Sequence, residues 1–418
     1  LLVFGGGLRA RRFVLEEDAI VRARIAAGAI VLGLAAAAAR ADTIADWADM
    51  TTRIATDGPN TIRTIALSQS AVYEAVNAIT RRYPRDVVNL GSADGASIDA
   101  AIAAASHSVL LHEAPALQPQ IEAAYQKMLA KIPDEATRRK GIAVGEHAAA
   151  DVLAKHKGDI GDIEPYRPLT SPGGYVPTTF PLGYAVAQHK PWFLKSNSQF
   201  RPGPPPDLKS AVWTRDYNEV KSVGAAESTV RTADQTGIGR FWATALPEVH
   251  IGVVSSLARA PGREITRNAR LFAAVMGALN DTEIAVFEAK YHYQFWRPIT
   301  AIRNGDRDDN PATERDADWA PLIVTPIQPE YPCAHCMISS ALATVIRADI
   351  GKEPLPVLSN TSNTAPGVTR HWTSTEDLVK EVSIGRIYGG MHYRNSTEVG
   401  VKMGEQVGKV VASAYGMR

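Results

Sequence analysis

Lys290-Tyr-His-Tyr-Gln-Phe-Trp-Arg297-Pro298, Tyr331-Pro332-Cys333-Ala334-His335-Cys336 and Arg386-Ile-Tyr-Gly389-Gly390-Met-His392 are three pieces of polar chemistry in one stretch of the chain. They supply Lys290, Arg297 and Arg386 as cations and His335 and His392 as imidazoles, with no carboxylate among them. Fixed positive charge of this kind repels a metal cation and suits an oxyanion such as phosphate or vanadate. The spacing of Lys290 and Arg297 predicts two helical turns on one helix face, with Pro298 turning the chain afterwards. Tyr331-Pro332 leads into an apolar helical run, so amides near Cys333 and Ala334 are expected to face an anion at a helix start. His335 beside them is an acid–base candidate. Gly389-Gly390 is expected to break a helix and let Arg386 and His392 turn to one point. Taken singly, each motif is weak, because paired basic residues are usually solvated and a lone histidine is usually structural. The ordered set carries the reading.

Outward from that stretch, 418 residues with 45% hydrophobic content can fill the core of one large or two ordinary domains. A formal charge of +1 invites neither nucleic acid nor an anionic membrane, so anion binding must be local. Arg22 and Arg24 precede an apolar run from Ile25 to about Ala39 that ends in Ala39-Arg40-Ala41. A basic region, a short apolar region and an A-x-A signal read as a cleaved signal peptide. The run is shorter than the ~20 residues that span a bilayer. The expectation is an exported protein, periplasmic or secreted, with no stable membrane insertion after cleavage.

Cys333 and Cys336 are the only cysteines, which excludes a disulfide scaffold. Met337 follows Cys336, so the spacing does not fit haem attachment. A local disulfide and two semi-buried thiols both remain open.

The mature chain reads as helical almost throughout. Ile62–Ile79, Ser97–Glu113, Pro119–Ala130 and Asp134–His156 carry apolar or small residues at helical spacing, with Asp134 placed to cap its helix. Residues 157–208 are rich in Gly, Pro and Ser and are expected to be an ordered excursion. Helices resume from Thr214 to the C-terminus, Pro354–Thr373 reads as a loop, and no alternating strand set appears. The expected fold is all-α, two packed helical bundles with the oxyanion site in the C-terminal one. The expected division is an extension and leader over 1–41, an N-terminal helical half with its connector over 42–208, and a site-bearing half over 209–418.

Lys-x6-Arg-Pro, Tyr-Pro-x-x-His and Arg-x5-His in this order resemble the vanadium-dependent haloperoxidases and the related type-2 phosphatidic acid phosphatases. Tyr73-Glu-Ala-Val-Asn-Ala-Ile79, Arg231-Thr-Ala-Asp-Gln-Thr236, Phe241-Trp242 and Phe295-Trp-Arg-Pro298 resemble the bacterial haloperoxidase-like branch. The resemblance implies vanadate held by Lys290, Arg297, Cys333, Ala334 and Arg386, His392 as the metal ligand, and His335 as the acid–base residue. Hydrogen peroxide, a halide and a small organic substrate are the implied partners. A phosphatase of the same superfamily would instead use no cofactor, with His392 as the nucleophile on a phosphate ester. A third alternative is a lapsed oxyanion-binding protein. Cys333-Ala334 stands where the family usually has Ser-Gly, Gly385 precedes Arg386 where a Ser is usual, and Ser396 stands where many members carry an acid. That last departure leaves Glu398 or Asp281 as the conjectured orienter of His392.

Overall fold

The computed structural model describes residues 43–55, 60–84, 93–244 and 247–417, and the expected leader lies outside them. Helix α1 covers residues 43–55. There follow α2 (Thr61–Thr80), α3 (Ile98–Glu113), α4 (Gln118–Leu129), α5 (Glu135–Lys155), α6 (Ala211–Val223) and α7 (Ala233–Phe241). The remainder comprises α8 (Glu248–Ala258), α9 (Ile265–Tyr293), α10 (Pro298–Arg303), α11 (Ala334–Ile350), strands β1 (Leu358–Ser362) and β2 (Ala365–Trp372), α12 (Thr375–Tyr388) and α13 (Arg394–Ala414). The architecture is all-α, with a two-stranded antiparallel hairpin inserted before α12. That hairpin corrects the loop expected over Pro354–Thr373. Leu358 and Trp372 are its paired and buried end, while most of β2 is exposed, so its apolar signal was too short to register.

Helix starts follow side chains that satisfy free amides. Ser97, Asp134, Ser210 and Ser374 accept from the backbone N–H groups of Ala100, Thr137, Trp213 and Asp377. Thr232 and Gln235 form a reciprocal capping box on α7.

Helix α9 is the spine. It is 29 residues long and buried around most of its circumference, packing against α2 on one side and α11 and α13 on the other. A helix apolar all round can only be an interior one. The connector 157–208 is fastened to it, because the Asp281 carboxylate of α9 accepts from the backbone N–H groups of Trp192, Phe193 and Leu194 at 2.7–2.9 Å. Phe193 lies where a Cβ on Gly277 would come within 2.7 Å. Asp281 is thus committed to this anchor and does not orient His392.

Helices α11 and α13 run side by side in the same direction. A Cβ at Gly400 would come within 2.6 Å of the Cys333 carbonyl, at Gly404 within 2.0 Å of the Met337 carbonyl, and at Gly408 within 2.8 Å of the Ala341 carbonyl. Both sets of positions advance together, so the two helix N-termini lie at the same end of the bundle. Only a hydrogen at Gly404 permits this spacing. Gly404→Ala is expected to cost about 1–3 kcal/mol through overpacking against rigid backbone. Thermal melting should show a clear drop for Gly404→Ala beside an unchanged Lys402→Ala control. Equal melting points for both would mean that the close approach is dispensable.

Candidate oxyanion site

Lys290, Arg297, Arg386, His335 and His392 are brought together at the shared end of α11 and α13. Lys290 sits in the last turn of α9, fully buried, and its Nζ donates to the Pro329 and Glu330 carbonyls at 2.8 Å each. An ammonium has three hydrogens, so one is left over. Arg297 does not share the helix of Lys290. Gln294 adopts a left-handed conformation (φ 45°) that ends α9, and Arg297 precedes α10, with Pro298 at its first turn. The two-turn expectation therefore failed, although both side chains still reach one place. Arg297 Nε donates to Gln328 O at 2.9 Å and Nη1 to Met391 O at 2.9 Å, while the buried Nη2 has no partner among the described residues.

Arg386 ends α12, and the chain turns there as the glycine pair predicted. Gly390 is left-handed (φ 75°), Met391 N–H returns to Arg386 O and Gly390 N–H to Ile387 O, the paired bonds of a Schellman motif. A Cβ at Gly390 would also meet Gly224 O at 2.5 Å. Arg386 Nη1 donates to Trp242 O and Nη2 to Met391 Sδ at 3.2 Å, while Nε is buried with no partner among the described residues.

His392 is 2% exposed and lies two residues before α13. Its Nδ1 is 2.7 Å from Glu330 Oε1, which also accepts from Tyr393 N–H at 3.0 Å. An oxygen that takes two donors fixes the tautomer: Nδ1 carries the proton, and Nε2 keeps a lone pair facing Arg297 Nη1 at 3.1 Å. Glu330 is the orienter of His392. Glu398 is exposed, and Ser396 Oγ is 3.5 Å from Nδ1, too far to be the main partner. Glu330 went unnoticed because it directly precedes the Tyr-Pro motif, where an acid has no periodicity to mark it.

Cys333 and Cys336 form a disulfide. Cys333 therefore has no thiol hydrogen to offer an anion. Its Sγ instead accepts from Cys336 N–H, and its own amide donates to Ser396 O at 3.2 Å. The Cys333 expectation is corrected: it caps α11. The amides that open α11 at Ala334 and His335 have no intrahelical acceptor by position and carry the positive end of the helix dipole. His335 is half-buried, with Nε2 3.0 Å from Thr244 O. A carbonyl only accepts, so Nε2 is the N–H and Nδ1 holds the lone pair.

Burial shapes every ionisation here. Lys290 falls well below the ordinary lysine range through burial and then Arg297, and Arg386 falls to about 9 by burial and Arg297. Arg297 falls to about 10 through burial. Burial followed by neighbouring cations keeps His335 and His392 neutral. Burial raises Glu330 to about 7 against the pull of Arg297 and Lys290. Such electrostatics favour an anion, and Arg297 Nη2 and Arg386 Nε, buried without a partner among the described residues, are the kind of donor an oxyanion takes. Among the described residues no group of three or more His, Cys, Asp or Glu side chains is placed to hold a metal cation.

Residues 270–417, which include all five side chains, match the VCPO second helical-bundle domain family. The fold of the chain is that of the vanadium-dependent haloperoxidases. It is 26% identical to the vanadium chloroperoxidase of Curvularia inaequalis over 49% of this chain, and spans 46% of that relative. The crystal structure of a bacterial vanadium-dependent iodoperoxidase superposes with a TM-score of 0.73 at 22% identity, covering 89% of this chain and 96% of that one. A holo-type bacterial vanadium-dependent chloroperoxidase gives 0.67 at 17% identity, covering 87% and 92%. No helix among the described residues is long and apolar enough to cross a membrane.

Removing the orienter should weaken the site without unfolding it. Glu330→Ala leaves His392 Nδ1–H unpaired and is expected to lower vanadate affinity about 10–100-fold, as for other partners behind a metal ligand. Glu330→Gln keeps an acceptor and should lose less. Titration followed by vanadium-51 NMR measures both, and an unchanged affinity in Glu330→Ala would remove Glu330 from this role.

Proposed function

We propose that the protein is an exported, vanadium-dependent haloperoxidase-like enzyme that oxidises a halide with hydrogen peroxide. The observation that supports it is the gathering of three buried cations around His392, whose Nε2 lone pair faces Arg297 Nη1 at 3.1 Å. Lys290, Arg297 and Arg386 would hold the oxygens of vanadate, and His392 Nε2 would ligate it. Bound vanadate supplies a Lewis-acidic centre that activates peroxide for halide oxidation without changing its own oxidation state. Glu330 holds His392 in the ligating tautomer and keeps the ring from rotating. His335 is kept neutral, with Nδ1 free to accept a proton from incoming peroxide while Nε2–H stays on Thr244 O. The expected small organic acceptor would meet the oxidised halogen beyond this cluster.

The same lone pair is what a phosphatase needs of its nucleophile, and the same cations would stabilise a transferring phosphoryl group. The two readings diverge in assay. With vanadate present, the chain is expected to brominate a diketone dye in a bromide- and peroxide-dependent way. His392→Ala should lose about 100-fold or more of that rate. Phosphate-ester hydrolysis by the vanadate-free protein, inhibited by vanadate and without bromination, would replace the peroxidase reading.

Anion binding is also coupled to protonation. Lys290 yields its proton more readily than the arginines, whose delocalised charge is less costly to bury. An anion restores that proton, so binding takes protons up and weakens as pH rises. Sulfate is a dianion throughout the neutral and alkaline range, so a change in its affinity there belongs to the protein. The affinity should fall as pH rises towards about 9 and about 10, where Arg386 and Arg297 lose protons, with Lys290 displaced in the same direction, and a flat profile would show that these groups stay charged in the empty site.

A further inference from the structure

The stretch Tyr73-Glu-Ala-Val-Asn-Ala-Ile79 plays no part at the oxyanion site. Tyr73 and Glu74 instead line a cavity of about 480 Å³ at the other end of α13. That helix runs 21 residues from Arg394 to Ala414, which is about 30 Å at 1.5 Å per residue, so the cavity lies far from His392. Helix α2, the end of α5, the connector and the residues that close α13 each contribute to its wall. Cavities of roughly 300–1,000 Å³ are the size that small organic ligands occupy.

Its charge is opposite in sign to that of the oxyanion site. Glu74 and Asp151 bring two carboxylates to the wall against the single ammonium of Lys155, whose residue is exposed. Burial lowers His156 to about 4, so that ring adds no charge at neutral pH. Helices α5 and α13 both end at this wall, at Lys155 and Ala414, and so turn the negative ends of two helix dipoles towards it.

The rest of the wall is aromatic and firmly held. The Tyr73 and Tyr415 rings meet edge to face at 5.7 Å, and Phe193 lies 5.8 Å from Tyr415. Trp192 donates its indole N–H to Asp159 Oδ2 at 2.7 Å and its backbone N–H to Asp281. Its ring packs on His156 at 3.9 Å, and Asp159 in turn holds His156 Nδ1 at 3.0 Å. A wall fixed in this way loses little freedom when a ligand arrives. The fold already uses a tyrosine face for a cation here, since the Arg270 guanidinium lies 4.0 Å from the Tyr83 ring centre.

We propose that this cavity binds a small organic cation, its ammonium group between Glu74, Asp151 and the tyrosine rings and its apolar part against Trp192. The site is independent of the haloperoxidase reading, because it shares no residue with the oxyanion cluster. Aromatic faces attract a cation that gives up its water easily, which selects a quaternary or aryl-alkyl ammonium over a hydrated metal ion. The mixed wall matches such a ligand at both ends, with acids and dipole ends for the charge and ring faces for the carbon.

The test uses the whole protein with its oxyanion site first saturated with sulfate, and benzyltrimethylammonium as the probe. Phenylmethanesulfonate has nearly the same shape with the charge reversed. Calorimetric titration should show the cation binding and the sulfonate binding at least about 10-fold more weakly. Glu74→Gln removes a charge without changing shape, and Tyr415→Leu removes a ring face. Each should weaken the cation about 5-fold or more. Asp151→Asn, nearer to solvent, should weaken it about 2-fold or more. Vanadate affinity should stay within about 2-fold in all three, as expected for a distant site. Thermal melting establishes that the variants are folded, and the probe should raise the melting temperature of the wild type more than that of Glu74→Gln. Crystals soaked in the probe should show it against Tyr73 and Tyr415. The absence of binding heat, a sulfonate that binds as tightly as the cation, or an affinity unchanged in both Glu74→Gln and Tyr415→Leu overturns the proposal. So does a crystal in which a segment of this chain fills the cavity.

Discussion

Three cations held out of water within one cluster are the constraint around which this half of the molecule is arranged. Like charges in a medium of low polarisability repel strongly, and each loses its hydration. The chain answers with main-chain carbonyls: Pro329 and Glu330 for Lys290, Gln328 and Met391 for Arg297, Trp242 for Arg386. Carbonyl dipoles solvate a charge but do not cancel it. Among the described residues Glu330 is the acid that faces the cluster, and burial weakens even that charge. The folded protein thus holds a positive imbalance that an anion relieves, and an anion that binds only the folded state adds to its stability by mass action.

This explains why the site-bearing segments are irregular in an otherwise helical protein. Carbonyls inside a helix are already committed to amides four residues on, so free ones must come from breaks. Residues 328–330 precede α11, Met391 lies in the gap between α12 and α13, and Trp242 follows α7. Parallel packing of α11 and α13 across Gly400, Gly404 and Gly408 then brings two helix starts to the place where these breaks meet. Small residues far along the helices set the position of a charge at their ends.

Much of this was legible in the chain. The five charged or imidazole groups stood in ordered motifs, the capping role of Asp134 followed from its position, and the Gly389-Gly390 turn followed from glycine's freedom at positive φ. Arg297 was misplaced on the helix of Lys290 because nothing in Gln294 announces a left-handed residue. Glu330 was missed for a different reason. Its part depends on a partner 62 residues away, His392, and local pattern does not carry that information. Asp281 looked like an orienter because a buried acid demands partners. It found them in the backbone of the connector.

The Cys333–Cys336 bridge closes a loop of sequence separation 3, at the low end of what chain closure contributes to stability. Its larger consequence concerns durability. On the haloperoxidase reading, a free thiol here would climb through sulfenic and sulfinic acids, the second step without return. Each sulfur of the bridge is bonded to the other and presents no thiolate to a peroxide, and both lie in residues without solvent exposure. The thioether of Met391, which touches Arg386, is a sulfur that remains open to oxidation. Ageing of such a site would begin on a methionine, where repair by reduction exists.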